Sequence, residues 1–193
     1  MIPTRQDAEK LLYEYTESEA LRQHAHQVEV VMEYFAEIND EDVDLWGTVG
    51  LLHDLDYEKY PDQHCIKVRE ILEAHDYPEE IIRAVQSHGY GMCCDVKPES
   101  KMEKILYTID ELTGIINAAC LLRPSRSVLD LKLKSLKKKY KDKKFAAGCD
   151  RSLIEKGIEN LDYSADDVME LTIKGLQNQA ERAGLKGNID QDV

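Results

Sequence analysis

The sequence predicts an all-α protein, a single-domain helical bundle. Three observations predict it. Apolar residues recur at three- and four-residue spacing in one segment after another, the period of a helix that buries one face. Capping residues, first-turn prolines and trailing glycines bracket those segments. No segment carries the alternation of a strand, a hairpin signal or an internal repeat. At 193 residues the chain is long enough to bury a substantial core.

Thr4, with Asp7 three residues on, caps a first helix running to about Tyr15. Ser18 opens a second, in which Leu21, Ala25, Val28, Met32 and Phe35 form the apolar stripe. His24 flanks that stripe, and His26 points elsewhere, towards solvent. The acidic stretch Asn39 to Asp44 is a loop, with Asp42 as a cap. Leu45, Val49 and Leu52 mark a third helix, which carries His53 and Asp54 at its C-terminal end.

Pro61 suits the first turn of a fourth helix, where Cys65, Val68 and Leu72 make an apolar face flanked by His64. Pro78 opens a fifth, with Ile81, Val85 and His88 on its buried side and Gly89 ending it. After a loop holding Gly91, Cys93, Cys94 and Pro98, Ser100-x-x-Glu103 is a capping box for a long helix to about Leu122. Asp110 interrupts this otherwise apolar helix. It is either a ligand or a partner for a core hydroxyl such as Thr113. Pro124 breaks the helix. Leu129, Leu133, Leu136 and Tyr140 give a further stripe on a segment with eight lysines between Lys132 and Lys144. Ser152 caps a short helix to Leu161, and Ser164-x-x-Asp167 caps a last one ending at Gly184. The expected domain spans residues 1–185, with a motif core at about 18–122, C-terminal helices at 126–184 and a polar, frayed tail at 186–193.

A net charge of −13 disfavours nonspecific binding to nucleic acid or to an anionic membrane. There is no apolar run near the length of a membrane span and no signal-peptide pattern, so the chain is expected to be soluble and cytoplasmic. The five cysteines include no Cys-x-x-Cys pair, and adjacent Cys93 and Cys94 cannot bridge each other. Reduced thiols are expected, with Cys93-Cys94 an inert loop pair and a redox role its alternative.

The chemistry centres on Gly50-Leu51-Leu52-His53-Asp54-Leu55-Asp56, an apolar run that delivers a histidine beside an aspartate. Burying either group without a partner costs several kcal/mol, and a divalent cation is the simplest compensation. Five helices each supply an inward polar group: His24, His53 with Asp54, His64, His88 and Asp110. Neutral imidazoles and carboxylates suit Zn²⁺, Mn²⁺, Fe²⁺ or Ni²⁺, and the absence of cysteine from the set disfavours a purely structural zinc site. These are more donors than one tetrahedral ion needs, and two ions bridged by a carboxylate would use them all. His64 and His88 are then either ligands of a second ion or polar groups lining a substrate cavity.

The order His24, His53-Asp54, Asp110 on successive helices resembles the HD-domain superfamily of metal-dependent phosphohydrolases. Leu106 to Gly114, Leu122-Arg123-Pro124, the lysine-rich stretch and Phe145-Ala146-Ala147-Gly148 are similar to a group of small bacterial members. Where the family doublet is often followed by Ile-Gly, this chain has Leu55-Asp56. The resemblance implies that His24, His53, Asp54 and Asp110 bind a first ion and that His64 and His88 bind a second, with Asp54 bridging. It implies one or two divalent ions per chain (Mn, Fe, Zn, Ni or Mg) and hydrolysis of a phosphate ester by activated water that Asp54 orients. Asp56, Glu58 and His64 are candidates to protonate the leaving oxygen. The substrate implied is small, phosphorylated and nucleotide-like. Arg123 and Lys134 are the phosphate-binding candidates, the lysines otherwise being a solvated face. A homodimer is compatible with the sequence but not specified by it. Two other functions remain open: a di-iron oxygenase built on the same ligands, and a non-catalytic nucleotide-sensing module.

Overall fold

A computed structural model describes residues 3–189. Residues 1–2 and 190–193, the start of the expected domain and the end of the expected tail, lie outside the described residues. Among the described residues the chain forms nine α-helices and no strand beyond one isolated bridge between Tyr90 and Cys94. They are α1 Arg5–Tyr15, α2 Glu19–Ile38, α3 Val43–Leu52, α4 Lys67–Ala74, α5 Glu79–Ser87, α6 Lys101–Leu121, α7 Leu133–Lys141, α8 Arg151–Ile158 and α9 Ala165–Asn178.

The caps read from the sequence sit at the helix starts. Thr4 and Ser100 form full capping boxes with Asp7 and Glu103, and Ser18 and Asp42 accept from the backbone N–H of Leu21 and Leu45. The long α2 is the spine, packed against α3, α6 and α9. Next to it α3 is apolar all round, with every residue from Trp46 to Leu52 buried, so it runs through the core rather than over it. Gly50 allows the close crossing. A Cβ there would lie 2.9 Å from the Val28 carbonyl oxygen and 3.0 Å from Glu29 Cα. The backbones of α2 and α3 therefore touch one turn before His53. Each fully buried Leu or Ile of this core, such as Leu51, Leu52, Ile105 and Ile109, contributes about 1.5–3 kcal/mol.

Several boundaries differ from expectation. Pro61 begins only a 3₁₀ turn, Pro61–Gln63, and α4 starts at Lys67. Between them Cys65 takes a left-handed backbone (φ 63°), which breaks the helix and leaves His64 in a bend. Leu129 is 41% exposed in the turn before α7, because Val128 and Leu131 fill the core instead. Asp150 rather than Ser152 caps α8, accepting the Ser152 N–H, and α8 stops at Ile158. The last α-helix ends at Asn178, with turns continuing to Gly184, whose φ of 65° stops the chain from coiling further. The start of the expected frayed tail is pinned. Val128 N–H donates to the Leu185 carbonyl at 2.9 Å and Asn188 N–H to the Ser125 carbonyl at 2.7 Å. His26 is half-buried, its Nδ1 3.1 Å from Glu29 Oε2.

Candidate metal centre

The close crossing of α2 and α3 brings His24 and His53 together, and α6 adds Asp110 from the opposite side. His24 Nε2 lies 2.9 Å from Asp110 Oδ1 and 3.3 Å from His53 Nε2, and His53 Nε2 lies 3.4 Å from Asp110 Oδ1. Asp54 follows at the end of α3, its Oδ2 3.2 Å from His53 Nε2 and 3.9 Å from His24 Nε2. The Thr113 hydroxyl donates to the Ile109 carbonyl, so Asp110 has no core hydroxyl as its partner there and faces the histidines.

The other oxygen of Asp54 faces a second group. Oδ1 lies 3.4 Å from His64 Nε2 and 3.4 Å from His88 Nε2. All six residues that the sequence singles out as ligands thus meet around one carboxylate. The centre is buried on one flank and open on the other. His53 and His88 side chains are 0% and 1% exposed, whereas Asp54 is 21% exposed.

Three of the imidazoles are fixed from behind. His53 Nδ1 is 2.8 Å from the Gly50 carbonyl and His88 Nδ1 is 2.5 Å from the Val85 carbonyl. His64 Nδ1 is 2.8 Å from Asp56 Oδ1. Carbonyl and carboxylate oxygens only accept, so Nδ1 carries the proton in each ring and Nε2 is left to face the centre. Neutral rings then bring no donor into a cluster of nitrogens and carboxylate oxygens, and cations would reconcile them. The shape fits. Donor bonds of about 2.1 Å give donor–donor edges of about 3.0–3.4 Å around an ion, and the separations above cluster there. Without a cation the groups shift each other's protonation. Burial alone would lower His53, but Asp54 and Asp110 hold its pKa well above the usual imidazole range. Burial would likewise raise Asp54 and Asp110, yet the histidines hold both below the carboxylate range.

Asp56 is not at the centre itself. It is fully buried, and while Oδ1 holds His64, Oδ2 accepts the Val68 N–H at 2.8 Å. It therefore positions His64 and cannot reach a leaving oxygen. Glu58 is exposed, and one of its oxygens accepts the N–H groups of Glu17 and Ser18 ahead of α2. Arg123 and Lys134 are not brought to the cluster. Arg123 lies thirteen residues past Asp110, about 20 Å along the α6 axis, and its guanidinium is paired with Asp130 at 2.8 Å. Lys134 lies on α7 with Lys137, Lys138 and Lys141 along a separate surface hollow.

Two features escaped sequence reasoning. Cys65 Sγ stands beside His64 and His88, its nitrogen neighbours all within 4.8 Å of one another. The sulfur is 3.9 Å from His88 Nδ1 and 3.8 Å from Nε2, nearly equidistant, which sets it off the Nε2 lone-pair axis. It packs on the ring rather than joining the donors. Contact with Cys93 and Cys94 pushes the Cys65 thiol far up, and contact with Cys65 lowers Cys93 to about 7 and Cys94 to about 6. The second feature is a cavity of about 180 Å³ lined by Tyr90, Lys97, Lys104, Tyr107 and Lys156, among others. The only sequence hint was two tyrosines within three residues of His88 and Asp110.

Residues 21–115 match the family model for the HD domain, a stretch that contains all six residues of the cluster. This part of the chain is an HD domain, a family whose members are in general metal-dependent phosphohydrolases. No curated protein and no solved structure matches the chain. Among the described residues no helix is long and apolar enough to cross a membrane.

Proposed function

We propose that this HD domain is the catalytic unit of a divalent-metal phosphohydrolase that cleaves an ester of a small, nucleotide-like phosphorylated metabolite. The observation that carries the proposal is the division of labour within Asp54, whose Oδ2 faces His24 and His53 while Oδ1 faces His64 and His88. His24, His53, Asp54 and Asp110 would hold one ion, and Asp54, His64 and His88 a second; of Mn, Fe, Zn, Ni and Mg, the imidazoles suit Fe, Zn and Ni best and the oxygen-preferring Mg least. Ions held there would supply Lewis acidity, lowering the pKa of water towards neutrality and drawing charge from a phosphoryl group.

The chain's own residues do the rest. Asp54 sits between the two histidine groups at the open side, where it orients the attacking water. Asp56 locks His64 in one tautomer. With Asp56 buried behind His64, Glu58 anchored ahead of α2 and His64 presenting an Nε2 without a proton, water at the open side would protonate the leaving oxygen. Tyr107 stands one helical turn before Asp110 and Tyr90 two residues after His88, and both line the cavity in which Lys97, Lys104 and Lys156 outnumber the one carboxylate, Glu159; that net positive lining would suit the rest of a phosphorylated substrate. In a chain of net charge −13, Lys97, Lys104 and Lys156 replace Arg123 and Lys134 as the phosphate-binding candidates.

The test is a panel of phosphomonoesters and phosphodiesters, nucleotides included, assayed under nitrogen with Mn²⁺ or Mg²⁺. Ion-dependent hydrolysis that disappears in Asp54→Ala is the expected result. A metal-loaded protein that hydrolyses nothing in the panel contradicts the proposal, and a coloured, oxygen-consuming one favours the di-iron oxygenase.

A further inference from the structure

Two cysteines remote in sequence meet on the flank of the centre. Cys65 directly follows His64, is 0% exposed, and is held in a left-handed conformation (φ 63°) that a non-glycine residue adopts only under constraint. Cys93 comes from the loop after α5 and is half-buried, its sulfur 3.7 Å from the Gly89 carbonyl. Gly89 lies between them. A Cβ at this position would be 2.4 Å from Cys65 Sγ and 2.4 Å from Cys93 Sγ, so any larger residue would prise the sulfurs apart. The same two distances put the sulfurs within 4.8 Å of each other. A disulfide requires that gap to close to about 2.05 Å. Cys94 also touches Cys65, but its thiol donates to the Gln86 carbonyl at 3.0 Å and it cannot bridge its own neighbour Cys93, so a 65–94 link is the rival that the experiment separates from 65–93.

We propose that Cys65 and Cys93 form a thiol pair that hydroperoxides oxidise to a disulfide. Cys93, the more exposed, reacts first. Its sulfur attacks one oxygen of hydrogen peroxide, the O–O bond breaks, and one water leaves, giving a sulfenic acid on Cys93. The Cys65 sulfur then attacks the Cys93 sulfur, the S–O bond breaks, and the oxygen leaves as a second water carrying the Cys65 proton. Two thiols lose two electrons and two protons, and one peroxide becomes two waters. The pair needs no bound ion, so it stands or falls independently of the hydrolase proposal.

The experiment uses the full chain, treated with hydrogen peroxide, blocked with a thiol alkylator and digested without reductant. The expected result is a peptide linking positions 65 and 93, with titratable thiols falling from the five free cysteines to three and recovering with dithiothreitol. Cys94→Ser is expected to keep the link, and Cys93→Ser to lose it with its far-ultraviolet spectrum unchanged. A link that survives in Cys93→Ser, links only between chains, or uniform oxidation of all five thiols with no 65–93 peptide would each overturn the proposal.

Discussion

Asp56 Oδ1 lies 2.8 Å from His64 Nδ1, so a buried carboxylate stands behind one of the four histidines of the centre. With its other oxygen taking the Val68 N–H, Asp56 ties the start of α4 to the bend that carries His64. The turn after α3 thus supplies both a carboxylate at the centre, Asp54, and a carboxylate that aims a histidine from another segment.

Asp56→Asn tests that arrangement. An amide has one accepting oxygen where the carboxylate has two, so its NH₂ must face either the Val68 N–H or the His64 Nδ1–H. Metal affinity at the His64 side is expected to fall about 10- to 100-fold. Stability is expected to fall by about 1–3 kcal/mol for the unmet buried donor. Metal titration by calorimetry reads the first and urea denaturation the second. Unchanged affinity would show that Asp56 does not orient His64.

Gly50→Ala probes the crossing that assembles the site. Its new methyl meets backbone, not a flexible side chain, at 2.9 Å from the Val28 oxygen. Overpacking of this kind is expected to cost about 1–3 kcal/mol. Because the same contact sets the His24–His53 separation, metal binding should weaken along with the melting temperature. A variant that loses stability but binds metal normally would uncouple the two.

Away from the centre, Glu29 is a 0% exposed carboxylate of α2 that receives Arg5 Nε at 2.6 Å and stands 3.1 Å from His26 Nδ1. Burial alone would raise its pKa, but His26 and Arg5 bring it below the ordinary value of 4.5. A depressed carboxylate stabilises the fold above its unfolded-state pKa and loses that contribution as pH falls through its folded-state value. Glu29→Ala is expected to cost roughly 2–4 kcal/mol at pH 7, less than a wholly buried pair because Arg5 is partly exposed. The difference from the parent should shrink as pH falls below about 4.5. Urea midpoints measured at several pH values check it, and a difference independent of pH would exclude the charge as the cause.

Much of this was legible in the sequence because local signals agreed with the global fold. Thr4, Ser18, Asp42 and Ser100 are caps whose partners lie three residues away, and the stripe of α2 runs unbroken from Leu21 to Phe35. His53, Asp54 and Asp110 stand out as polar groups on apolar helices, whereas periodicity does not separate His24 from His26 and only the family pattern selects His24. What was missed depends on long-range or backbone geometry. A left-handed Cys65 has no sequence signal, so the spacing predicts an earlier start for α4 than the structure has. Arg123 looked free for phosphate because its partner Asp130 lies beyond a proline turn, and the pairing exists only once the loop closes. Asp56 looked like an acid because neither its burial nor its reach back to Val68 can be read from spacing.

The most direct measurement is the metal content of the freshly purified protein beside Asp54→Ala, by elemental analysis on protein of known concentration. Because Asp54 presents one oxygen to each histidine group, the protein is expected to hold two divalent ions per chain and the variant to lose both while keeping its helical spectrum. Two ions retained in Asp54→Ala, or none in the parent even after reconstitution, would contradict a centre organised around this carboxylate.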